Sequence, residues 1–266
     1  LFLLLGFGSI FPASAQAGEG RLPAQVQAVY RISFGLLGEI GTFRFTSGIE
    51  NQSYRLSADA KIDTAIFGYK GFMTSTGSVL TAITMPADYT FRYRQKVALG
   101  KKKNKQLSIA FDNHGVKDVT FVPPERPSPK AIPVTPDQLE NVLDPLSGVM
   151  ALSLGSMERP CEQRLPIFDG KQRFDLLFTP ATKAASEPGG GWLCHVRLIP
   201  ISGHKEGEGQ DSVITGEIEV VMRPVPKANI LIPYRVTVPT IIGAAVLTSE
   251  KVDITMPDRQ RIALRR

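Results

Sequence analysis

Apolar and polar residues alternate with period two along most of the chain, as in Gln25-Val-Gln-Ala-Val-Tyr-Arg-Ile-Ser-Phe34, where Val29 is followed by the series Tyr30, Ile32, Phe34. That period is the signature of half-buried β-strands. Runs rich in Val, Ile, Thr, Phe and Tyr repeat it at residues 40–49, 53–62, 72–81, 88–98, 106–111, 116–121, 173–179, 192–199, 212–222, 232–238 and 243–254. Turn signals fall between them at 35–38, 50–52, Gly68, Gly100, 112–115 and 168–170. Successive hairpins of this kind predict a mainly β fold: a strongly curved antiparallel sheet or open β-barrel.

The middle of the chain breaks the pattern. Residues 123–136 carry six prolines, which cannot sit in a central strand and predict an extended surface crossover. Thr135 and Gln138 form a capping box with Pro136 at the first helical position, predicting a short helix to about Val142. Asp144-Pro145 repeats the start signal, and Leu146, Val149, Met150, Leu152 and Leu154 supply an apolar face before Gly155. These two short helices, spanning about 136–154, are expected to pack on the concave face of the sheet. A second irregular stretch, 180–191, ends in three glycines.

The first seventeen residues, Leu1 to Ala17, read as the apolar core and A-x-A cleavage site of a secretory signal that is truncated upstream. The competing reading, a membrane anchor, needs about 20 apolar residues, and this run ends near Pro12. Residues 18–266 then form a single β-rich domain in a periplasmic or otherwise exported protein of a Gram-negative cell. The net charge of +6 is moderately basic. In an exported compartment it disfavours nucleic acid as a partner and leaves lipid head groups, lipoproteins or anionic envelope polymers. The two cysteines, Cys161 and Cys194, are expected to form one disulfide closing a 33-residue separation. A Cys194–His195 metal site is the rival, disfavoured because adjacent strand residues point to opposite faces.

Asp144-Pro-Leu-Ser147, the hairpin Cys161-Glu-Gln-Arg-Leu-Pro-Ile-Phe-Asp-Gly-Lys-Gln-Arg-Phe-Asp175 and the opening Tyr30-Arg-Ile-Ser-Phe-Gly-Leu-Leu-Gly38 resemble the DUF3108 family of exported bacterial proteins of unknown function. The resemblance runs from about Val26 to Ile254. It implies a secreted or periplasmic β-rich fold similar to the half-barrel of lipoprotein carriers, and it implies no catalytic residue.

Chemistry-bearing clusters are few. Asp169, Arg173 and Asp175 form a charged hairpin, read as a structural ion-pair network and, less readily, as a hydrolase carboxylate pair. The histidines lack ligand spacing, and the stretch His204-Lys-Glu-Gly-Glu208 offers at most a weak cation site. Ser147 lies at a helix start, where local hydrogen bonding to the backbone explains it. No phosphate loop or nucleophile elbow occurs, so neither cofactor nor metal is expected. Lys101, Lys102, Lys103 and Lys105 crowd one predicted hairpin tip, either as a solvated edge or as a docking point for an anionic surface.

The expected function is therefore non-enzymatic: burial of a lipid or lipoprotein acyl chain in a concave sheet. Phe67, Tyr69, Phe72 and Met73 are expected to line the site, and Leu146, Val149 and Met150 to cover it. A structural or protein-interaction module of the envelope is the alternative.

Overall fold

The computed structural model describes residues 22–98, 100–125, 128–181, 190–205 and 214–265. The expected leader at 1–17, residues 206–208 of the His204 stretch, and most of 180–191 lie outside them.

The described residues form one antiparallel sheet of fourteen strands. They are β1 (Gln25–Phe34), β2 (Glu39–Glu50), β3 (Ser53–Asp63), β4 (Phe67–Leu80), β5 (Ile83–Val97), β6 (Lys103–Asp112), β7 (Gly115–Val122), β8 (Gln163–Phe168), β9 (Arg173–Pro180), β10 (Trp192–Ser202), β11 (Ile218–Val225), β12 (Ile230–Thr240), β13 (Gly243–Thr255) and β14 (Arg261–Arg265). The spatial order is β7-β6-β5-β4-β3-β2-β1-β13-β12-β11-β10-β9-β8, with β14 against β13. The strands at its two ends, β7 and β8, do not pair with each other, so the sheet is open rather than a closed barrel. β12 pairs with the first half of β13, and β14 takes over on the second half from Lys251 to Thr255.

Curvature comes from bulges. Register shifts in the β4–β5, β9–β10 and β11–β12 pairs coincide with Pro86, Pro200 and Pro233. A proline cannot donate to a ladder, and a bulge both accommodates it and bends the strand. The concave face holds the buried alternation: Tyr54, Leu56 and Ala58 of β3, Leu107, Ile109 and Phe111 of β6, and Val26, Ala28 and Tyr30 of β1.

The two expected helices fare differently. The first helix is only a 3₁₀ turn, Pro136–Leu139, because Glu140 returns to extended backbone and Asn141 is left-handed at φ 52°. That break lets Leu143 run beside β8, where its N–H donates to the Pro166 carbonyl and its own carbonyl accepts from Phe168 N–H. The chain thus covers the free edge of β8. The second, α1 (Pro145–Ser153), lies in the concavity. Its Leu146 and Met150 join the core over β3–β6, and Leu152 joins that over β8–β12. A side chain at Gly148 would require Ile167 to shift, since a Cβ there would lie 2.6 Å from the Ile167 Cδ1.

Three smaller corrections concern strands and turns. β8 contains Pro166 and β14 has five residues, and neither shows the longer alternation the other strands do. Gly68 lies inside β4, paired with Asp63 and Lys96, and the turn precedes it at 64–66. Lys103 and Lys105 belong to β6, leaving Lys101 and Lys102 at the tip.

Cys161 and Cys194 form a disulfide that ties the approach to β8 to β10 across β9. For a 33-residue separation, the chain-entropy model gives about 3–4 kcal/mol. Replacing both cysteines by alanine is expected to lower the unfolding free energy by about that amount in urea titrations; an unchanged midpoint would show that the crosslink restrains nothing in the unfolded chain.

Candidate functional site

The Asp-Pro start of α1 builds an entirely buried polar cluster. Asp144 Oδ1 accepts from the N–H groups of Leu146 (2.9 Å) and Ser147 (3.1 Å), satisfying the exposed end of the helix. Its Oδ2 accepts from the hydroxyls of Ser75 (2.8 Å) and Ser147 (2.5 Å). The Ser147 hydroxyl also lies 2.7 Å from that of Tyr54 and 2.9 Å from that of Ser75. The hydroxyl of Ser147 therefore bonds to the side chains of Asp144 and of Tyr54 and Ser75 on β3 and β4, and not to local backbone, a correction to the sequence reading. Gly77 makes the arrangement possible, because a Cβ there would come within 2.5 Å of the Tyr54 hydroxyl.

Burial raises the Asp144 carboxyl above the ordinary carboxylate range, against the pull of its hydrogen bonds to Ser147, Ser75 and Leu146. Burial likewise pushes the Tyr54 phenol up to about 12, with the charge of Asp144 adding to it. Tyr89 is raised further by burial and then by Asp144. Every acceptor position on Asp144 in this network is filled, and none of these four residues borders the cavity described next.

Beyond the C-terminal half of α1 the concavity is not filled. A cavity of about 370 Å³ lies between the helix and strands β1, β2 and β9–β13. Val149, Met150 and Leu154 form its helical wall, Phe43 and Phe45 one flank, and Phe178, Val196 and Val236 the other. Tyr30, Ser47 and Ser153 are the polar side chains of the lining. Many wall residues, including Leu176, Val236, Val238 and Leu247, are only half-buried despite facing inward.

Of the expected lining, Val149 and Met150 are in this wall. Leu146 is instead core, packed over β3–β6. Phe67, Tyr69 and Met73 share the inward face of β4, but over the other half of the sheet, where Tyr69 stacks on Tyr93 at 5.9 Å and Met73 packs on the core. Phe72 faces outward by strand alternation, beneath the Arg92 guanidinium at 5.4 Å. The true wall comes from β1, β2 and β9–β13. Its signal in the sequence is the ordinary alternation, which does not separate a filled face from a hollow one.

The charged hairpin splits. Asp169 accepts from the N–H groups of Lys171 (2.8 Å) and Gln172 (2.7 Å), capping its own turn. Asp175 is buried between Arg173 (2.5 Å) and Arg164 (2.6 Å), the second of which the sequence reading missed. Arg173 also donates to the Gln138 carbonyl at 3.0 Å, tying the hairpin to the 3₁₀ turn. Lys105 and Lys171 both pair with Glu125, and these hydrogen bonds hold its carboxyl below the usual range. His195 pairs with Glu217 at 2.8 Å, and Cys194 is in the disulfide, so the two share no metal geometry. Among the described residues no group of three His, Cys, Asp or Glu could hold a metal ion. Nor is any helix among them long and apolar enough to cross a membrane.

The profile of the family described as "Protein of unknown function (DUF3108)" matches residues 29–248. No curated protein matches the chain. Among solved structures, the beta-barrel-like protein of domain of unknown function DUF1849 from Brucella abortus is similar at 11% identity and a TM-score of 0.49, over 88% of this chain and 99% of that one.

The polar cluster carries a pH dependence. Folding raises the Asp144 pKa, so its contribution to stability is full below the unfolded carboxylate value and is lost as pH rises through the folded one. Asp144→Asn, which removes the charge and keeps the shape, is expected to flatten that component in urea midpoints measured from roughly pH 4 to pH 8. Identical pH profiles for the two proteins would contradict it. Ser147→Ala, which strips partners from Tyr54 and Asp144, is expected to cost about 1–3 kcal/mol.

Proposed function

The chain belongs to the DUF3108 family, and we propose that it is a non-enzymatic, exported envelope protein that binds the apolar part of a lipid or lipoprotein in the cavity beside α1. The observation that carries this reading is the hollow apolar wall itself. Its volume of about 370 Å³ lies at the lower end of the roughly 300–1,000 Å³ of small-molecule sites, which suits one acyl chain. The scarcity of polar groups in the lining suits an aliphatic ligand.

Affinity in such a site needs no reactive residue. Each methylene transferred from water contributes about 0.8 kcal/mol, so a single chain supplies useful binding by burial alone. The disulfide and the apolar leader with its A-x-A box support export, because a Cys161–Cys194 bond persists in an oxidising compartment. α1 serves as a fixed wall: its first turn is pinned by Asp144, while Val149 and Met150 face the ligand space.

The test is titration of the delipidated full chain with a fluorescent long-chain polyene fatty acid. The native protein is expected to show saturable enhancement, and Val149→Trp and Val236→Trp, which fill the cavity, are expected to weaken it by about tenfold or more. No saturable binding, or equal affinity in folded cavity-filled variants, would overturn the proposal.

A further inference from the structure

Four turns at one end of the sheet carry exposed apolar side chains where turns ordinarily carry Gly, Asn, Asp or Ser. Leu36 and Leu37 form the tip of β1–β2, Ile241 and Ile242 that of β12–β13, Ile66 that of β3–β4, and Val97 ends β5. Leu36 is fully exposed and Ile242 is 79% exposed. The antiparallel order places all four turns on the same rim, side by side along β12-β13-β1-β2-β3-β4-β5-β6. At the opposite end the tips are Asn51-Gln52, Asn113-His114, Pro226-Lys227-Ala228-Asn229 and Asp258-Arg259, with Leu80 and Ile83 the apolar exceptions beside Thr81-Ala82.

The rim is built, not frayed. Gly35 is left-handed at φ 44°, and a Cβ on it would lie 3.8 Å from the Gly243 Cα, so the Leu36-Leu37 and Ile241-Ile242 turns meet backbone to backbone. The other two are stitched by the Ala98 N–H, which donates to the Ile66 carbonyl at 2.9 Å. Neighbouring tips are thus tied to each other through their backbones.

Behind the tips lies a row of cations on the convex face. Lys61 pairs across the ladder with Lys70, and Lys70 with Arg94, placing like charges on three adjacent strands. Such pairs oppose sheet formation. Only Lys61 has a carboxylate nearby, Asp63 at 3.8 Å; among the described residues Lys70, Arg94 and Lys96 have no ion-pair partner. Lys70 stands four residues behind Ile66 and Arg94 three before Val97, about 10–13 Å along the strands. Lys101 and Lys102 stand at the tip itself.

We propose that this rim docks the protein on an anionic phospholipid bilayer, with the apolar tips entering the acyl boundary and the cationic row at head-group level. Separate projecting points suit a fluid surface better than a protein face, which would have to supply a matching pit for each tip. The convex cations suit a diffuse negative field. The surface reading of Lys101 and Lys102 becomes one part of this larger face, while Lys105 is excluded by its pairing with Glu125. The inference stands apart from cavity binding, although Val238 and Leu247 of the cavity wall lie on the two strands that meet at Ile241-Ile242.

The test is flotation of the full chain with vesicles of phosphatidylethanolamine and phosphatidylglycerol, against phosphatidylcholine alone. The native protein is expected to bind the anionic vesicles preferentially and to release as salt rises. The quadruple variant Leu36→Ser, Leu37→Ser, Ile241→Ser, Ile242→Ser is expected to bind about tenfold more weakly or less, and Lys70→Gln with Arg94→Gln to lose the preference for anionic lipid. Unfolding midpoints check that both remain folded, and Val149→Trp is expected to leave flotation unchanged. Equal flotation of native and tip variants, no anionic preference, or native self-association that the tip substitutions abolish would overturn the proposal, the last in favour of an interface between copies.

Discussion

The structure depends on the attachment of one nine-residue helix inside an open sheet. A helix that short is marginal in water, and a sheet with two free ends cannot close itself by hydrogen bonding. The Asp144 cluster solves both problems. Its carboxylate caps α1 and grips Ser75 of β4, while Ser147 reaches Tyr54 of β3, so the helix is fixed to one half of the sheet by hydrogen bonds. Leu143, one residue earlier, is fixed to β8 at the other end of the sheet. Helix and approach together hold the two halves around a common interior.

This division explains why one half of the concavity is solid and the other hollow. Where the helix is pinned, Leu146 and Met150 press on Leu56, Ile109 and Phe168, and the core is continuous. Past Val149 the helix ends at Ser153, and the space between it and part of β9–β13 stays unfilled. The charged groups reinforce the frame instead of facing the hollow: Asp175 holds Arg164 and Arg173, and Glu125 joins Lys105 to the β8–β9 turn through Lys171. What remains in the cavity wall is surface whose chief physical capacity is to take apolar matter out of water.

The alternation of residues made most strands legible, because a half-buried strand writes its period directly into the sequence. It failed at β8, where Pro166 and a six-residue length mask the period, and at the five-residue β14. The Asp144-Pro145 helix start was legible because capping is local. Its partners were not, since Ser75 and Tyr54 stand 69 and 93 residues from Asp144 and Ser147, respectively. Phe72 was misplaced by grouping it with Phe67, Tyr69 and Met73, although it lies on the opposite face of the strand. The cavity lay beyond sequence reasoning because a residue facing a void and one facing a packed neighbour have the same composition. The disulfide followed from the cysteine count alone.

The central claim, that the hollow beside α1 holds an apolar ligand, is tested most directly by native mass spectrometry of the full-length protein isolated from its own cells without detergent, before and after organic extraction. The account predicts an added mass in the range of a single lipid, removed by extraction and absent from Val149→Trp isolated in the same way. A protein that carries no added mass before extraction, or carries it equally in Val149→Trp, would contradict it.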